Sequence, residues 1–356
     1  MESLSRFVPK NIIVRMPNWI GDLVMATPVL TALRKAYPKA QITAMSRFSG
    51  CELLEGDPDI NELFCFKRAN IFVRHSERRN IIEKLRGGKF DLGILLTHSF
   101  SSAWWFWQGK VKYRLGYDCN GRGILLSHKL SLPPKMQSQH LVNTYQQLLA
   151  PLGISTEGLS PRLYLEPKEV EEAKSLLYTF GIKENHKIIG INPGAAYGSA
   201  KCWLPERFRE VTEKLLKNTD AYILYFGDQV SAALVKEICA GLPERVINLA
   251  GVTSLRQLSC LIHICDVLLT NDSGPMHIAS ALHTPLVALF GSTNEVMTGP
   301  YNGGDVVHKH VECSPCYQRT CPIDFRCMKK ITTDEVYERV LKALEIKNPK
   351  LHILTK

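Results

Sequence analysis

The sequence predicts an α/β protein of two domains, each a doubly wound parallel sheet, and three observations carry that prediction. Short β-branched runs alternate with helical patterns along nearly the whole chain, as in βαβ layers. At 356 residues the chain exceeds the length over which a single hydrophobic core keeps growing. Each half also holds a polar motif in a strand-to-helix turn: Asn18-Trp19-Ile20-Gly21-Asp22 in the first, Asn271-Asp272-Ser273-Gly274-Pro275-Met276-His277 in the second. Ligands of open parallel sheets bind beyond the carboxyl ends of the strands. One such motif per half therefore suits two lobes that close on one cleft and join two substrates.

Taken in order, the first half reads as strands at 12–15, 41–45, 62–66, 91–96 and 113–115, with helices between them. The clearest helix spans 21–37 and stops before Pro38, because proline disfavours helical geometry in the residue before it. Another helix at 139–152 closes this half, and the Gly-, Ser- and Pro-bearing stretch 153–167 is the linker. The domains are thus expected at 1–165 and 166–356. The second half opens on a helix at 168–180 and continues with strands at 187–192, 221–225, 246–248, 267–270 and 286–290. Helices fall at 205–218, 230–240, 254–264 and 274–282, Pro205 suiting a first helical position. A cysteine-bearing loop, 313–327, precedes a last helix at 333–345, which belongs to the second domain or packs back on the first. There is no solenoid-period repeat and no low-complexity tract.

A hydrophobic content of 45% excludes wholesale disorder. Residues 1–10 lack the apolar core of a signal peptide, and no apolar run approaches the ~18 residues of a membrane span, so a cytoplasmic location is expected. In that compartment the eleven cysteines are expected as free thiols or metal ligands rather than disulfides. Charge is uneven: residues 1–150 hold 21 Lys and Arg against 11 Asp and Glu, whereas 151–356 hold 23 of each. The whole excess of +10 lies in one lobe, which points that lobe at something anionic. The densest stretch carries Lys67, Arg68, Arg74, Arg78, Arg79, Lys84, Arg86 and Lys89 against Glu77 and Glu83. It reads either as a solvated helix face or as a surface for an anionic substrate, an acidic membrane or nucleic acid. Nucleic acid would need interleaved aromatic platforms, and only Phe72 and Phe90 lie nearby, so no nucleic-acid partner is expected.

Neither half has Gly-x-Gly-x-x-Gly after its first strand, nor is there a phosphate-binding P-loop, a His-Glu-x-x-His or a Gly-x-Ser-x-Gly. Dehydrogenase and P-loop NTPase chemistry are disfavoured. Asp22, after Gly21, is either a helix-start carboxylate favoured by the macrodipole or a general base facing the cleft. The small-residue turn from Asn192 through Ala195 and Ala196 to Lys201 is either an ordinary loop or an anion nest backed by a lysine. Asp272, Ser273 and Gly274 start a helix, where backbone N–H groups and the dipole attract phosphate, and His277 follows Ser273 by one turn. Cys313, Cys316, Cys321 and Cys327 are dense enough for tetrahedral zinc, though their spacing matches no standard ribbon or finger. The aromatic run Trp104-Trp105-Phe106-Trp107 is core packing or a membrane-interface anchor.

The segments Asn18 to Pro28, Pro193-Gly194-Ala195 through Lys201-x-Trp203, and Asn271-Asp272-Ser273-Gly274-x-x-His277 together resemble the ADP-heptose:lipopolysaccharide heptosyltransferases of glycosyltransferase family 9. The heptosyltransferase II type is the best match. The likeness runs in order from about Asn11 to the last helix, and Leu286 to Gly291 also fits. It implies a GT-B fold of two Rossmann-like lobes facing a central cleft, acceptor on the first and nucleotide sugar on the second. It also implies inverting, metal-independent transfer of L-glycero-D-manno-heptose from ADP-heptose to the lipopolysaccharide inner core, as the second heptose.

Carried over by position, Asp22 resembles the catalytic base, and Lys201, Ser273, Gly274 and His277 resemble diphosphate contacts. Asp272 resembles the carboxylate that holds heptose hydroxyls, and Asp228 lies where ribose or adenine contacts arise. Ala195 and Ala196 complete the expected donor site; Asn18, Arg74 and Arg78 are the expected acceptor contacts. The acceptor implied is a Kdo- and heptose-bearing lipid A, with peripheral contact at the cytoplasmic face of the inner membrane. No cofactor is required, a structural zinc at the four cysteines being the alternative. The rivals are a family 9 transferase with another donor or acceptor and a non-catalytic binder of anionic glycolipid.

Overall fold

A computed structural model of the chain describes residues 4–67, 74–134 and 136–346. The chain divides into two compact units, Met1–Leu163 and Tyr164–Lys356. The first runs β1 (Asn11–Arg15), α1 (Ile20–Met25), α2 (Thr27–Ala36), β2 (Gln41–Arg47), α3 (Phe48–Leu54), β3 (Glu62–Phe66), α4 (Arg74–Gly87), β4 (Leu92–Leu95), α5 (Phe100–Gln108), β5 (Tyr113–Tyr117), β6 (His128–Leu130) and α6 (Leu141–Gln147). Its six strands are all parallel in the order β3-β2-β1-β4-β5-β6. The central strand β1 is buried on both faces, Ile12, Ile13 and Val14 being wholly inaccessible, which is why it reads as an unbroken apolar run.

The second unit runs α7 (Pro167–Thr179), β7 (Ile188–Asn192), α8 (Pro205–Asn218), β8 (Tyr222–Tyr225), α9 (Ala232–Cys239), β9 (Val246–Asn248), α10 (Leu255–Ile264), β10 (Val267–Asn271), α11 (Gly274–Ala281), β11 (Leu286–Phe290), α12 (Glu295–Thr298), β12 (Asp305–His308), α13 (Arg326–Lys329) and α14 (Thr333–Glu345). The order β12-β11-β10-β7-β8-β9 is the same winding counted from the unit's own first strand. Both units therefore have the doubly wound, Rossmann-like topology. The strand order reverses between β1 and β4 in one and between β7 and β10 in the other, the place where such sheets take ligands.

Several expectations need correction. The helix expected over 21–37 is two helices, α1 and α2. Ala26 N closes the first on Asp22 O at 3.0 Å, and Val29 N bonds Ala26 O at 3.1 Å to start the second. Pro28 has no N–H to continue the ladder, and the Thr27 hydroxyl turns back to Val24 O at 2.8 Å. The closing helix is shorter than expected, α6 being followed by a separate 3-10 turn at Ala150–Leu152. The edge strands β6 and β12 lie outside every expected strand. In the last helix, Val336, Val340 and Ala343 are buried in the core of the second unit, beside Val287 and Leu289. Cys51 and Cys65 are disulfide-bonded, against the expectation of free thiols, because α3 packs on β3 and brings their Cα atoms to 6.0 Å. The other nine cysteines form no disulfide. Among the described residues, no helix is long and apolar enough to cross a membrane.

Candidate active site

In the second unit β10 lies beside β7 with Thr270 in register with Asn192. That adjacency sets the loop after β7 against the turn after β10. The Asn192 side-chain amide lies 3.0 Å from Gly194 O, 3.3 Å from Thr270 Oγ1 and 3.1 Å from Ser273 Oγ, tying the two segments at their roots. Asn271 does the same one residue on, accepting from Trp203 N at 3.0 Å and donating to Pro193 O at 2.7 Å. Trp203 is fully buried, so this end of the loop is anchored in the core.

Between these anchors sits an ion pair. Lys201 Nζ is 2.5 Å from Asp272 Oδ2, with side-chain exposures of 13% and 3%. Thr293 Oγ1 donates to the same carboxylate oxygen at 2.6 Å, and the lysine ammonium lies 5.0 Å from the Tyr197 ring centre. The loop is strapped from outside by residues 317–319. Ala200 N donates to Arg319 O at 3.0 Å, Tyr197 hydroxyl donates to Tyr317 O at 2.7 Å, and the Arg319 guanidinium lies 5.3 Å from the Tyr197 ring. Gly198 permits this approach, since a Cβ there would meet Arg319 O at 2.2 Å and its φ is +154°.

Ser273 N-caps α11 with extended geometry and no side-chain cap bond, leaving its hydroxyl to Asn192 and Thr270. His277 lies one turn further on, 6% exposed. Ala195 and Ala196 are half-buried and exposed in the loop, and Gly194 packs closely on Ser231. Asp228, beyond β8, is exposed and has one carboxylate oxygen fixed by Ser231 N at 2.8 Å and Ser231 Oγ at 2.5 Å. A fixed cation, a carboxylate, a hydroxyl and a helix N-terminus thus converge at the switch point. That set suits a diphosphate carrying a polyhydroxylated group.

In the first unit Asp22 occupies the first turn of α1, half-buried. Burial, and after it the Asp22 carboxylate, push the Tyr145 hydroxyl on α6 well above its ordinary pKa, so the two side chains are neighbours. Asn18 Oδ1 accepts from Arg15 Nη2 at 2.7 Å. Arg15 itself is 3% exposed at the carboxyl end of β1. Burial and the nearby Arg47 charge lower its pKa to about 9.

Arg78 is exposed on α4 and stacks over Trp104 at 4.3 Å. The Arg74 side chain and the whole of Arg68 lie outside the described residues. The aromatic run on α5 divides by face. Phe106 is wholly buried, Trp105 meets Phe66 edge-on at 5.7 Å, and Trp107 is 47% exposed.

The alternative zinc site at Cys313, Cys316, Cys321 and Cys327 does not assemble. Among the described residues, the one group of three or more ligand atoms within 4.8 Å of one another is Glu295, His308 and His310. Cys327 is buried in the core, and that burial, before the neighbouring thiols, raises its pKa. Sequence reasoning missed Thr293 and Arg15. Thr293 carried no motif, and Arg15 read as the polar end of an apolar strand.

The model of glycosyltransferase family 9 (heptosyltransferase) matches residues 78–325. The lipopolysaccharide heptosyltransferase 2 of Escherichia coli K12 is 31% identical over 300 residues, 81% of this chain and 85% of that protein. The lipooligosaccharide heptosyltransferase 2 of Campylobacter jejuni is 29% identical over 94% of this chain and 98% of its own. The solved structure of E. coli ADP-heptose LPS heptosyltransferase II superposes with a TM-score of 0.80 at 28% identity, covering 94% of this chain and 98% of that one. With the twin Rossmann-like sheets and the switch-point cluster, these likenesses settle the class: the chain belongs to glycosyltransferase family 9, a GT-B family of sugar-transferring enzymes.

Proposed function

We propose that this enzyme transfers L-glycero-D-manno-heptose from ADP-heptose to the lipopolysaccharide inner core, adding the second heptose. The observation that carries the reading is the Lys201–Asp272–Thr293 cluster at the β7/β10 switch point, beside Ser273 and the start of α11. Lys201 and the helix N-terminus stabilise the departing diphosphate as preorganised positive charge, which does the work a divalent ion does elsewhere. Asp272, held by Lys201 and Thr293, accepts hydroxyls of the sugar. Asp228 contacts the nucleoside, and the Ala195–Ala196 backbone, Ser273, Gly274 and His277 complete the diphosphate site.

On the acceptor side, Asp22 removes the proton from the attacking hydroxyl, and displacement opposite the leaving group inverts the anomeric carbon. Asn18, Arg74 and Arg78 hold the acceptor. The phosphates and acidic sugars of inner core and lipid A suit a first unit that carries the entire charge excess of +10. That charge also favours peripheral binding at the cytoplasmic face of the inner membrane.

The test is mass spectrometry of inner-core glycolipid carrying one heptose, incubated with enzyme and either ADP-heptose or a panel of other nucleotide sugars. The proposal expects a gain of one heptose with ADP-heptose alone. Transfer of a different sugar, or binding of glycolipid without transfer, overturns it.

A further inference from the structure

Beyond the carboxyl edge of the second sheet, a Glu–His–His group remains that the reaction does not use. Glu295 begins α12, His308 ends β12 and His310 follows two residues later. Their ligand atoms all lie within 4.8 Å of one another. His308 is sunk, with 3% of its side chain exposed, Glu295 is at 23% and His310 at 68%, so the group opens to solvent on the His310 side.

Both ring nitrogens of His308 are engaged, Nε2 by Ser314 and Nδ1 by Glu295. Ser314 Oγ has one proton, and it is committed to Gly291 O. The 2.9 Å contact between Ser314 Oγ and His308 Nε2 therefore needs the proton on the ring nitrogen. In that tautomer the His308 Nδ1 lone pair faces Glu295 Oε2 at 2.7 Å. A bare lone pair against a carboxylate repels, and only a cation or a further proton turns the contact favourable. His310 Nε2, 3.4 Å from the other carboxylate oxygen, is a third ligand atom within 4.8 Å of the others.

We propose that Glu295, His308 and His310 bind a divalent transition-metal ion of the zinc class, with Ser314 as the outer partner that fixes the His308 tautomer. Two imidazoles and a carboxylate are the donor set such ions take, and a metal-bound imidazole ordinarily gives its other N–H to an oxygen acceptor. The ion is structural. It joins the segment after β11 to the one after β12. The first carries Thr293, which holds Asp272, and the second carries Tyr317, whose N–H donates to Ser292 O at 2.7 Å.

The experiment is a Co²⁺ titration of the full-length, chelator-stripped, reduced enzyme, read by visible absorption and equilibrium dialysis, then Zn²⁺ displacement. One Co²⁺ per chain is expected, with ligand-field bands and no thiolate charge-transfer band. His310→Ala, at an exposed position, should abolish stoichiometric binding while leaving far-ultraviolet circular dichroism unchanged. Ser314→Ala should weaken it roughly tenfold through the tautomer. Absence of stoichiometric binding, a thiolate band, or undiminished binding by His310→Ala or Ser314→Ala overturns the proposal. In the first case the His308–Glu295 contact is held by a proton.

Discussion

Replacing Lys201 with methionine removes the ammonium while keeping most of the stem. It leaves the Asp272 carboxylate, 3% exposed, with Thr293 Oγ1 as the remaining partner seen on that oxygen. Removing one member of a buried ion pair strands the other and costs about 3–5 kcal/mol, a large share of the ~5–15 kcal/mol that holds a domain folded. Asp272→Asn should cost a similar amount by stranding the lysine. The double variant Lys201→Met/Asp272→Asn strands neither charge, so the two losses should not add, with a coupling of about 2 kcal/mol or more.

The second unit contains one tryptophan, Trp203, fully buried two residues from Lys201. With fluorotryptophan labelling, its ¹⁹F resonance reports urea unfolding of that unit separately from the four tryptophans of the first. Two single variants within ~0.5 kcal/mol of the parent, or a double variant equal to their sum, would refute the claim that this pair organises the site.

Other consequences are sharp enough to check. Lys201→Met should also weaken ADP binding roughly 10–100-fold by calorimetry, the worth of one charge-assisted contact; an unchanged affinity would remove Lys201 from the diphosphate. Gly198→Ala forces a Cβ onto Arg319 O at 2.2 Å, so it should release the strap and destabilise the second unit by about 1–3 kcal/mol; a parental unfolding midpoint would contradict that packing. In the first unit, burial first, and then the Asp59 charge, raise the Asp57 carboxyl from 3.8 to about 6. Because the folded value is the higher one, the protonated group contributes fully below about pH 4, and that contribution is lost as pH rises through about 6. Asp57→Asn keeps an acceptor for Asp59 N, at 2.9 Å in the parent, and should stabilise the first unit by up to about 3 kcal/mol at pH 8 but little at pH 4. A gain that is equal at both pH values would exclude Asp57 as the titrating group.

The interior of each sheet was plain in the sequence because parallel strands buried on both faces are continuous apolar runs, as at β7, β10 and β11. The edge strands β6 and β12 were not. They are three and four residues long and include His128, Lys129, Asp305 and His308, so neither run length nor hydrophobicity marks them. The break between α1 and α2 was hidden because buried residues continue through Ala26, and only the missing N–H of Pro28 betrays it.

At the site, Lys201 and Asp272 were each legible as motif residues, but their pairing was not. Seventy-one positions separate them, and the contact exists because β10 lies next to β7. Thr293 is further removed from any motif, arriving from the turn after β11. The Cys51–Cys65 bond was missed for the opposite reason, a compartment argument having been set above a local one. The packing of the helix on the strand brings these two Cα atoms to 6.0 Å, inside the range a disulfide spans.

The central claim is a division of labour, with a base on the first unit and a diphosphate cradle on the second. It is tested most directly by measuring heptose transfer and ADP affinity together for Asp22→Asn. The expected result is a rate lower by about 10²–10⁴-fold with ADP affinity unchanged, since the proposal gives Asp22 a role toward the acceptor alone. Transfer at the parental rate would contradict the account, and so would a loss of ADP binding equal to the loss of rate.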